Sequence, residues 1–427
     1  MKNNEGAIQN SNYMNNFTMK LINLIKTNIK SFTMIIALLL IWALFAILTH
    51  GIFLVPQNLS NLFRQMTIIA FLAIGMVLVI VTGNIDLSVG SVTGFVSAVA
   101  AALQAYVFSK WLPVWFPALN AHVNFFGVET TMNGILSTGL TIIICMLLGV
   151  VIGLYQGTLT AYFGIPAFIV TLGGLLIFRG GVLGITQGKT ISAIEKPLVF
   201  LAQGYVAKEL GIVIAVIVII LIFLITIWNR RQKKIYGFEL KPLYVDLLKA
   251  GFFSFLVLLY VLYVANGYRG FQIPVLLMMI VALIFSYIST NTKFGRYCYA
   301  IGGNKEATKL SGVDIRKNIL NVFVLMGLLG GVAGLILTGY VAAGTIGGGE
   351  MYELFTIASC VIGGTSLMGG EGIIVGAVVG ALVMESIDNG MSIMNLQAYL
   401  KAIVKGFVLI IAVYIDVAGK RKSWFIK

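Results

Sequence analysis

The chain has 427 residues, a formal net charge of +14, 59% hydrophobic residues and only 10% charged residues. Soluble domains carry about 25% charged residues, so this composition excludes an ordinary soluble globular protein. Most basic residues lie between long apolar runs, where membrane topology accounts for them, and the positive charge therefore does not predict nucleic-acid binding.

Apolar runs of about 20 residues recur along the chain, and each is long enough to cross roughly 30 Å of hydrocarbon. Lipid offers no partner for open backbone groups, and the alternation of a barrel strand is absent, so the spans are predicted to be helices. The sequence predicts an all-α, polytopic transmembrane bundle. Its twelve predicted spans are 33–50, 65–82, 87–108, 134–157, 166–186, 211–228, 247–265, 274–289, 319–340, 353–368, 372–390 and 403–417.

Three segments divide the chain: a polar N-terminal tail (1–32), one membrane domain (33–417) and a basic C-terminal tail (418–427). With both termini cytoplasmic, the tails and the loops 229–246 and 290–318 hold 19 Lys and Arg residues, against seven in the outer loops. This bias predicts that orientation. The loops are too short to fold into a catalytic domain, so an energy source beyond an ion gradient would have to be a separate subunit.

Small residues recur every four positions in several spans, which places them on one helix face and predicts close helix packing. The rows are Gly149-Gly153-Gly157, Gly372-Gly376-Gly380 and Gly90-Gly94-Ser97-Ala101. Two Gly-rich breaks, at 83–86 and 369–371, either join separate spans or mark broken or re-entrant helices.

The first break places Asn84, Asp86 and Ser88 between two apolar spans. Polar groups at membrane depth are costly unless they face protein or a wet cavity, so these residues are candidates for a polar path through the membrane. The alternative is a plain cytoplasmic turn, in which Asp86 accepts a hydrogen bond from the amide of Ser88 or Val89.

Charged residues near membrane depth are few. Glu385 and Asp388 share a helix face in the eleventh span, and Lys401 and Lys405 share one at the start of the twelfth. The pattern predicts an ion cluster at the outer boundary. Arg179 is expected near the outer end of the fifth span.

The basic loop 290–318 contains a short predicted helix, with Asn304 as its cap, 305–310 as its body and Gly312 as its terminator. Such a helix either docks a partner or simply connects two spans. No catalytic set is predicted, because the two histidines, His50 and His122, are far apart. No metal site is predicted, because no cysteine pair has ligand spacing.

Four stretches of the chain resemble permeases of ATP-binding-cassette (ABC) sugar importers of the ribose, galactose and xylose group. They are GNIDLSVGS (83–91), IPAFIVTLGGLLIFRG (165–180), YAIGGNKEATKLSG (299–312) and CVIGGTSLMGGEG (360–372). The xylose branch is most similar, through NGYRGFQIPVLL (266–277), SIDNGMSIMN (386–395) and an extra pair of spans around 211–265. Ribose-type permeases are shorter, with about ten spans.

The resemblance implies a multi-pass protein of the bacterial inner membrane that works as a homodimer. It also implies a cytoplasmic ATP-binding subunit, which would hold ATP and Mg²⁺, and an extracytoplasmic sugar-binding protein. The chain itself would carry no cofactor and no enzymatic activity. Within 299–312, it implies ATPase coupling by Asn304, Glu306, Ala307, Leu310 and Gly312.

The candidates for the substrate path are Asn84, Asp86 and Ser88, joined by Phe168, Thr171 and Asn389 from the other matching stretches. Neutral sugars are suited by hydroxyl, amide and aromatic side chains. Xylose is the favoured cargo, with other pentoses and hexoses open. Two other classes stay open at this point: an ion-coupled secondary sugar carrier, which would place charges at the midplane, and a non-transporting membrane scaffold.

Overall fold

The computed structural model describes residues 29–238, 240 and 242–424, so most of the predicted tail 1–32 lies outside the described part. Within that part the chain is mostly helical, with irregular connections and two short strand pairings. The helices are α1 (Ile29–Leu48), α2 (Pro56–Val81), α3 (Val89–Ala102), α4 (Ser109–Trp115), α5 (Met132–Ala161), α6 (Ala167–Thr186), α7 (Lys196–Gln203), α8 (Lys208–Ile235), α9 (Leu243–Leu259), α10 (Ile273–Asn291), α11 (Lys293–Gly303), α12 (Lys305–Leu310), α13 (Ile315–Val341), α14 (Tyr352–Ile362), α15 (Ile374–Ile393) and α16 (Ala398–Trp424). Two π-helical stretches, Leu103–Phe108 and Tyr260–Ala265, continue α3 and α9.

The described part also contains two 3₁₀ helices, Ile52–Leu54 and Pro117–Asn120, and two antiparallel strand pairs. The first joins β1 (His122–Phe125) to β2 (Val128–Thr131), with His122 opposite Thr131. The second joins β3 (Tyr205–Val206) to β4 (Phe271–Gln272). Both pairs lie in connections between helices, so they do not alter the all-α architecture.

Nine helices of the described part are long and apolar enough to cross a membrane. The predicted polytopic, all-α bundle is therefore confirmed. Several helices extend beyond the predicted spans. The second helix begins at Pro56 instead of 65, because Pro is favoured in the first turn, where its missing amide proton costs nothing. At the other end of the chain, α16 continues to Trp424, into the segment predicted as the C-terminal tail.

The predicted span 353–368 was wrong. Its helix, α14, has only 11 residues, roughly 16 Å of helix, which is about half of the hydrocarbon thickness. The segment before it, 342–351, is irregular and runs back along α3. Gly344 lies against Ala98, Gly348 against Gly94 and Gly349 against Gly90. The chain therefore re-enters the bundle here instead of forming one full span.

Close backbone approach at the predicted glycine rows forms the centre of the bundle. A Cβ at Gly149 or Gly153 would collide with a backbone carbonyl of α13, that of Gly327 or that of Phe323. A Cβ at Gly380 would collide with the Ser359 carbonyl of α14. The packing prediction for these rows is confirmed, because only residues without a side chain let the two backbones come this close.

The two Gly-rich breaks and the basic loop 290–318, called the coupling loop below, lie at one end of the bundle. The Gly370 amide donates to the Val81 carbonyl at the end of α2, at 2.9 Å. The Tyr299 hydroxyl of α11 donates to the Gly372 carbonyl, at 2.7 Å. At the opposite end, the Gln203 amide group donates to the carbonyls of Gly339 and Tyr340, where α13 finishes. The two sets of loops therefore occupy opposite ends, as the predicted topology requires.

Candidate functional site

The first Gly-rich break forms a tight polar turn between α2 and α3. Asp86 Oδ1 accepts hydrogen bonds from the Ser88 amide at 2.8 Å and from the Ser88 hydroxyl at 2.6 Å. The side-chain amide of Asn84 donates to Thr82 Oγ1 at 3.0 Å. The local bond predicted for a capping Asp86 is therefore present, and it starts α3 by ordering the residues just before Val89.

This turn is buried among the neighbouring helices. The side-chain amide of Gln156 in α5 donates to the Ser88 hydroxyl at 2.7 Å, and the Thr171 hydroxyl of α6 donates to the Ile85 carbonyl at 3.3 Å. Asp86 is 3% exposed. Thr171 lies four residues into α6, so the turn sits roughly 6 Å inside the helix ends. Asp86, Ser88 and Thr171 meet in one buried polar hub at the edge of the membrane domain.

Gln156 was missed by the sequence reasoning, although it forms the link between this hub and α5. It is the one amide side chain in the glycine-rich helix α5 that points to the break, and it is 2% exposed. A buried glutamine within an otherwise apolar helix needs a polar partner, and that requirement is the signal that could have identified it.

The remaining path candidates lie apart from the hub. Phe168 belongs to α6 but its side chain is 53% exposed, on the outer surface of the protomer. Asn389 lies near the end of α15, where its Oδ1 accepts from the Asn58 side-chain amide at 2.9 Å. Asn58 belongs to the first turn of α2, so Asn389 lies at the opposite end of that helix from the hub. The six candidates do not form one site in this conformation.

The predicted short helix of the coupling loop is confirmed as α12. Asn304 Oδ1 accepts from the Ala307 amide at 3.0 Å and caps the helix, and Gly312 follows it with φ +79°. Glu306 and Ala307 are exposed, and Leu310 is 88% exposed. Leu310 is the last residue of this helix, and its side chain has no cover in the described part of the chain.

A backbone junction connects this loop to both Gly-rich breaks. At Gly302, near the end of α11, an added Cβ would collide with the Val81 carbonyl and would lie 2.5 Å from the Gly370 amide nitrogen. Gly303, the next residue, has nothing within 4 Å of such a Cβ. Three chain segments thus meet at Gly302 without an intervening side chain, and a displacement of α11 would act directly on the start of the break at 83–88.

The predicted ion cluster is present in part: Glu385, Asp388 and Lys405 interact, and Lys401 lies outside it. Asp388 pairs with Lys405, whose ammonium also lies 4.0 Å from the centre of the Phe355 ring. Lys401 instead donates to the Ser392 hydroxyl at 2.7 Å. Of the two lysines, only Lys405 reaches the carboxylate of Asp388.

None of the described residues form a group of three or more His, Cys, Asp or Glu side chains that could hold a metal. Cys298 lies in α11, outside the spanning helices. Burial raises the pKa of its thiol to about 12, so it remains protonated and is a poor nucleophile at neutral pH.

Residues 58–413 match the model of the family described as branched-chain amino acid transport system / permease component. The chain belongs to this family of transport permeases. It is 39% identical over 398 residues to the xylose transport system permease protein XylH of Haemophilus influenzae, covering 92% of this chain and 98% of that protein. The corresponding XylH of Escherichia coli strain K12 is 38% identical over 397 residues, covering 93% of this chain and 94% of the relative.

A second type of relative is less similar. The ribose import permease protein RbsC of Escherichia coli strain K12 is 31% identical over 382 residues, covering 90% of this chain and 92% of that protein. No solved structure matches the chain. The predicted resemblance to sugar permeases, nearer to the xylose type than to the ribose type, is confirmed. So is the prediction of a multi-pass transport subunit that is not an enzyme.

Proposed function

We propose that this chain is the permease subunit of an ABC importer that moves xylose across the inner membrane of a bacterium into the cytoplasm. The observation that carries the proposal is the similarity to xylose permeases over nearly the whole length of both proteins. The nine apolar helices and the buried polar hub supply the membrane domain that such a subunit requires. ATP and Mg²⁺ would be held by a separate cytoplasmic subunit, and an extracytoplasmic protein would deliver the sugar.

The orientation in this proposal has both termini, the break at 83–88 and the coupling loop in the cytoplasm, with twelve segments entering the membrane. The excess of Lys and Arg in these segments supports it. The functional unit would be a homodimer. The extra pair α8 and α9 would lie at its lipid-facing edge, since only 11% of the most apolar stretch of α8 is buried in the protomer and α9 packs against α8.

The ATPase would dock on α12 through Glu306, Ala307 and Leu310, with Asn304 and Gly312 holding the ends of that helix. The exposed Leu310 and the capping bond at Asn304 support this assignment. The junction at Gly302 would carry the movement of the dock to the break at 83–88.

Asn84, Asp86, Ser88 and Thr171 would act as the inner part of the substrate path, opening when the dock moves. Asp86→Asn tests this role, because asparagine still accepts the bonds that order the turn but removes the charge. We expect uptake to fall sharply while expression and ATPase assembly stay intact. Normal uptake by this variant would leave Asp86 as a local capping residue only.

Reconstitution tests the function as a whole. The chain is placed in vesicles with the ATPase and the sugar-binding protein encoded beside it, and uptake of radiolabelled xylose and ribose is measured. We expect ATP-dependent uptake that prefers xylose and that resists an uncoupler. Uptake that needs no ATPase and collapses with the uncoupler would instead identify an ion-coupled carrier, and absence of any uptake would favour a scaffold.

A further inference from the structure

An ion pair lies inside the bundle, roughly 12 Å along α6 from Thr171 of the hub, and Glu353 interacts electrostatically with both places. Arg179 Nη2 donates to Glu350 Oε2 at 2.9 Å, and its Nη1 donates to the Gly348 carbonyl at 3.3 Å. Arg179 is seven residues before Thr186, the last residue of α6, so it lies roughly 10 Å inside that end of the helix. The predicted span ended at the same residue, 186, so Arg179 lies about two turns from the outer end to which the sequence assigned it.

The backbone of the re-entrant segment 342–351 carries Glu350 to this depth. Its upper end is held by two backbone hydrogen bonds between Ile191 and Gly344, at 2.8 and 2.9 Å. Lower down, a Cβ at Gly94 would collide with the Gly348 carbonyl, and one at Gly90 would lie 2.5 Å from the Gly349 carbonyl. This close packing on α3 fixes the position of Glu350 relative to Arg179.

Both charged side chains are open to the outside of the protomer. The Glu350 side chain is 64% exposed and that of Arg179 is 27% exposed. Charged groups at such depth are costly against lipid and face protein or water instead. Irregular backbone is likewise tolerated at membrane depth only where it is buried in protein or lines a water-filled cavity. The face that carries Glu350 is therefore not a lipid-facing surface.

The same face of α6 continues towards the coupling end. Leu172 and Phe168 precede Arg179 by seven and eleven residues, close to two and three helical turns, so they lie below it on one line. Their side chains are 42% and 53% exposed. The Arg179–Glu350 pair, Leu172 and Phe168 thus form one continuous stripe. Each of these side chains is partly exposed on the surface of the protomer.

We propose that Arg179 and Glu350 bind the hydroxyl groups of the sugar from the wall of a water-filled passage along this stripe. The guanidinium offers donors and the carboxylate offers acceptors, which together match hydroxyls that both donate and accept. Phe168 would contact the sugar ring further along the passage. The inference rests on the proposed function and adds a binding site to it.

Cysteine labelling tests whether the site is wet. Glu350→Cys is made in a chain whose native cysteines, all buried, are replaced by alanine. A membrane-impermeant thiol reagent is applied with and without saturating xylose. Val216→Cys is the matched control. Val216 is 49% exposed and lies eight residues, roughly 12 Å, after Lys208, where the proposed lipid-facing helix α8 begins.

We expect Glu350→Cys to react, xylose to slow that reaction by about tenfold or more, and Val216→Cys to stay unreactive. No reaction at Glu350→Cys would show a dry subunit contact and overturn the proposal. Equal reaction at both cysteines would overturn it as well, because the depth assigned here would be wrong. Reaction that is indifferent to xylose would overturn the sugar-binding role.

Glu350→Gln provides a second readout that does not depend on labelling. Loss of a charge-assisted hydrogen bond to the sugar should raise the KM for uptake by about tenfold, with ATPase assembly unchanged. An unchanged KM with a lower maximal rate would show a purely structural pair. Xylose uptake by the unmodified chain is measured in parallel. If the unmodified chain takes up no xylose, the proposed function is contradicted. The labelling result would still decide whether water reaches Glu350→Cys.

Discussion

Helices α2 and α8 are both long and apolar, yet they occupy opposite environments. In α2, 89% of the most apolar stretch is buried inside the protomer, whereas in α8, the more apolar of the two, only 11% is buried. Lipid is as apolar as a leucine side chain, so apolar residues are not drawn inwards in a membrane protein. Burial follows the places where small residues allow backbones to meet, and hydropathy alone identifies spans but not the core.

The largest expected effect lies where α5 crosses α13, at the centre of the core. Gly153→Val places a branched side chain against the Phe323 carbonyl and should destabilise the protein by about 3 kcal/mol or more. Gly139→Val in the same helix meets nothing within 4 Å and controls for the helix propensity of valine. In detergent, Gly153→Val should melt at a lower temperature than Gly139→Val. Equal melting temperatures would contradict the view that close backbone packing defines the core.

The next effect is expected at the junction beside the coupling loop. Gly302→Ala pushes the end of α11 against Val81 and should lower uptake by about tenfold or more, from roughly 1–3 kcal/mol of overpacking. The ATPase should still bind, because α12 is untouched. Gly303→Ala has open space for its methyl group and should transport normally. Equal uptake by the two variants would remove the junction from the coupling route.

A smaller effect is expected from the ion pair between the last two helices. The Lys405 side chain is 13% exposed and that of Asp388 is 30% exposed, so Lys405→Ala leaves a partly buried carboxylate without its partner. We expect a loss of about 2 kcal/mol, between the values for surface and buried pairs. Lys401→Ala should change the melting temperature little, because Lys401 donates to Ser392. If Lys401→Ala lowered the melting temperature more than Lys405→Ala, Lys401 would also belong to the ion cluster.

The smallest effect on stability is expected at Gly312, a position with open space around it outside the packed core. Gly312 has open space around it but φ +79°, so Gly312→Val should cost about 1–2 kcal/mol locally through backbone strain. Co-purification of the ATPase and uptake should both fall. Gly312→Asn, which tolerates this conformation, should retain them. Normal assembly of the Gly312→Val chain would exclude this loop as the dock.

Local features of the candidate site were predictable to different degrees. The cap at Asn304, the terminator at Gly312 and the bond from the Ser88 amide to Asp86 follow from a few neighbouring residues, and the structure contains all three. The contacts of Gln156 and the separation of Asn389 from the hub could not be predicted, because each depends on which helices become neighbours.

The sequence by itself determined that this protein is a membrane-spanning helical bundle of the sugar-permease type. Span length, apolar composition and the motifs at 83–91 and 299–312 are properties of short stretches, and the bilayer admits few structures for them. Only the tertiary structure decided that 342–351 re-enters the bundle and brings Glu350 to Arg179. That contact joins residues 171 positions apart, and it depends on backbone packing at Gly90 and Gly94 that no local pattern encodes.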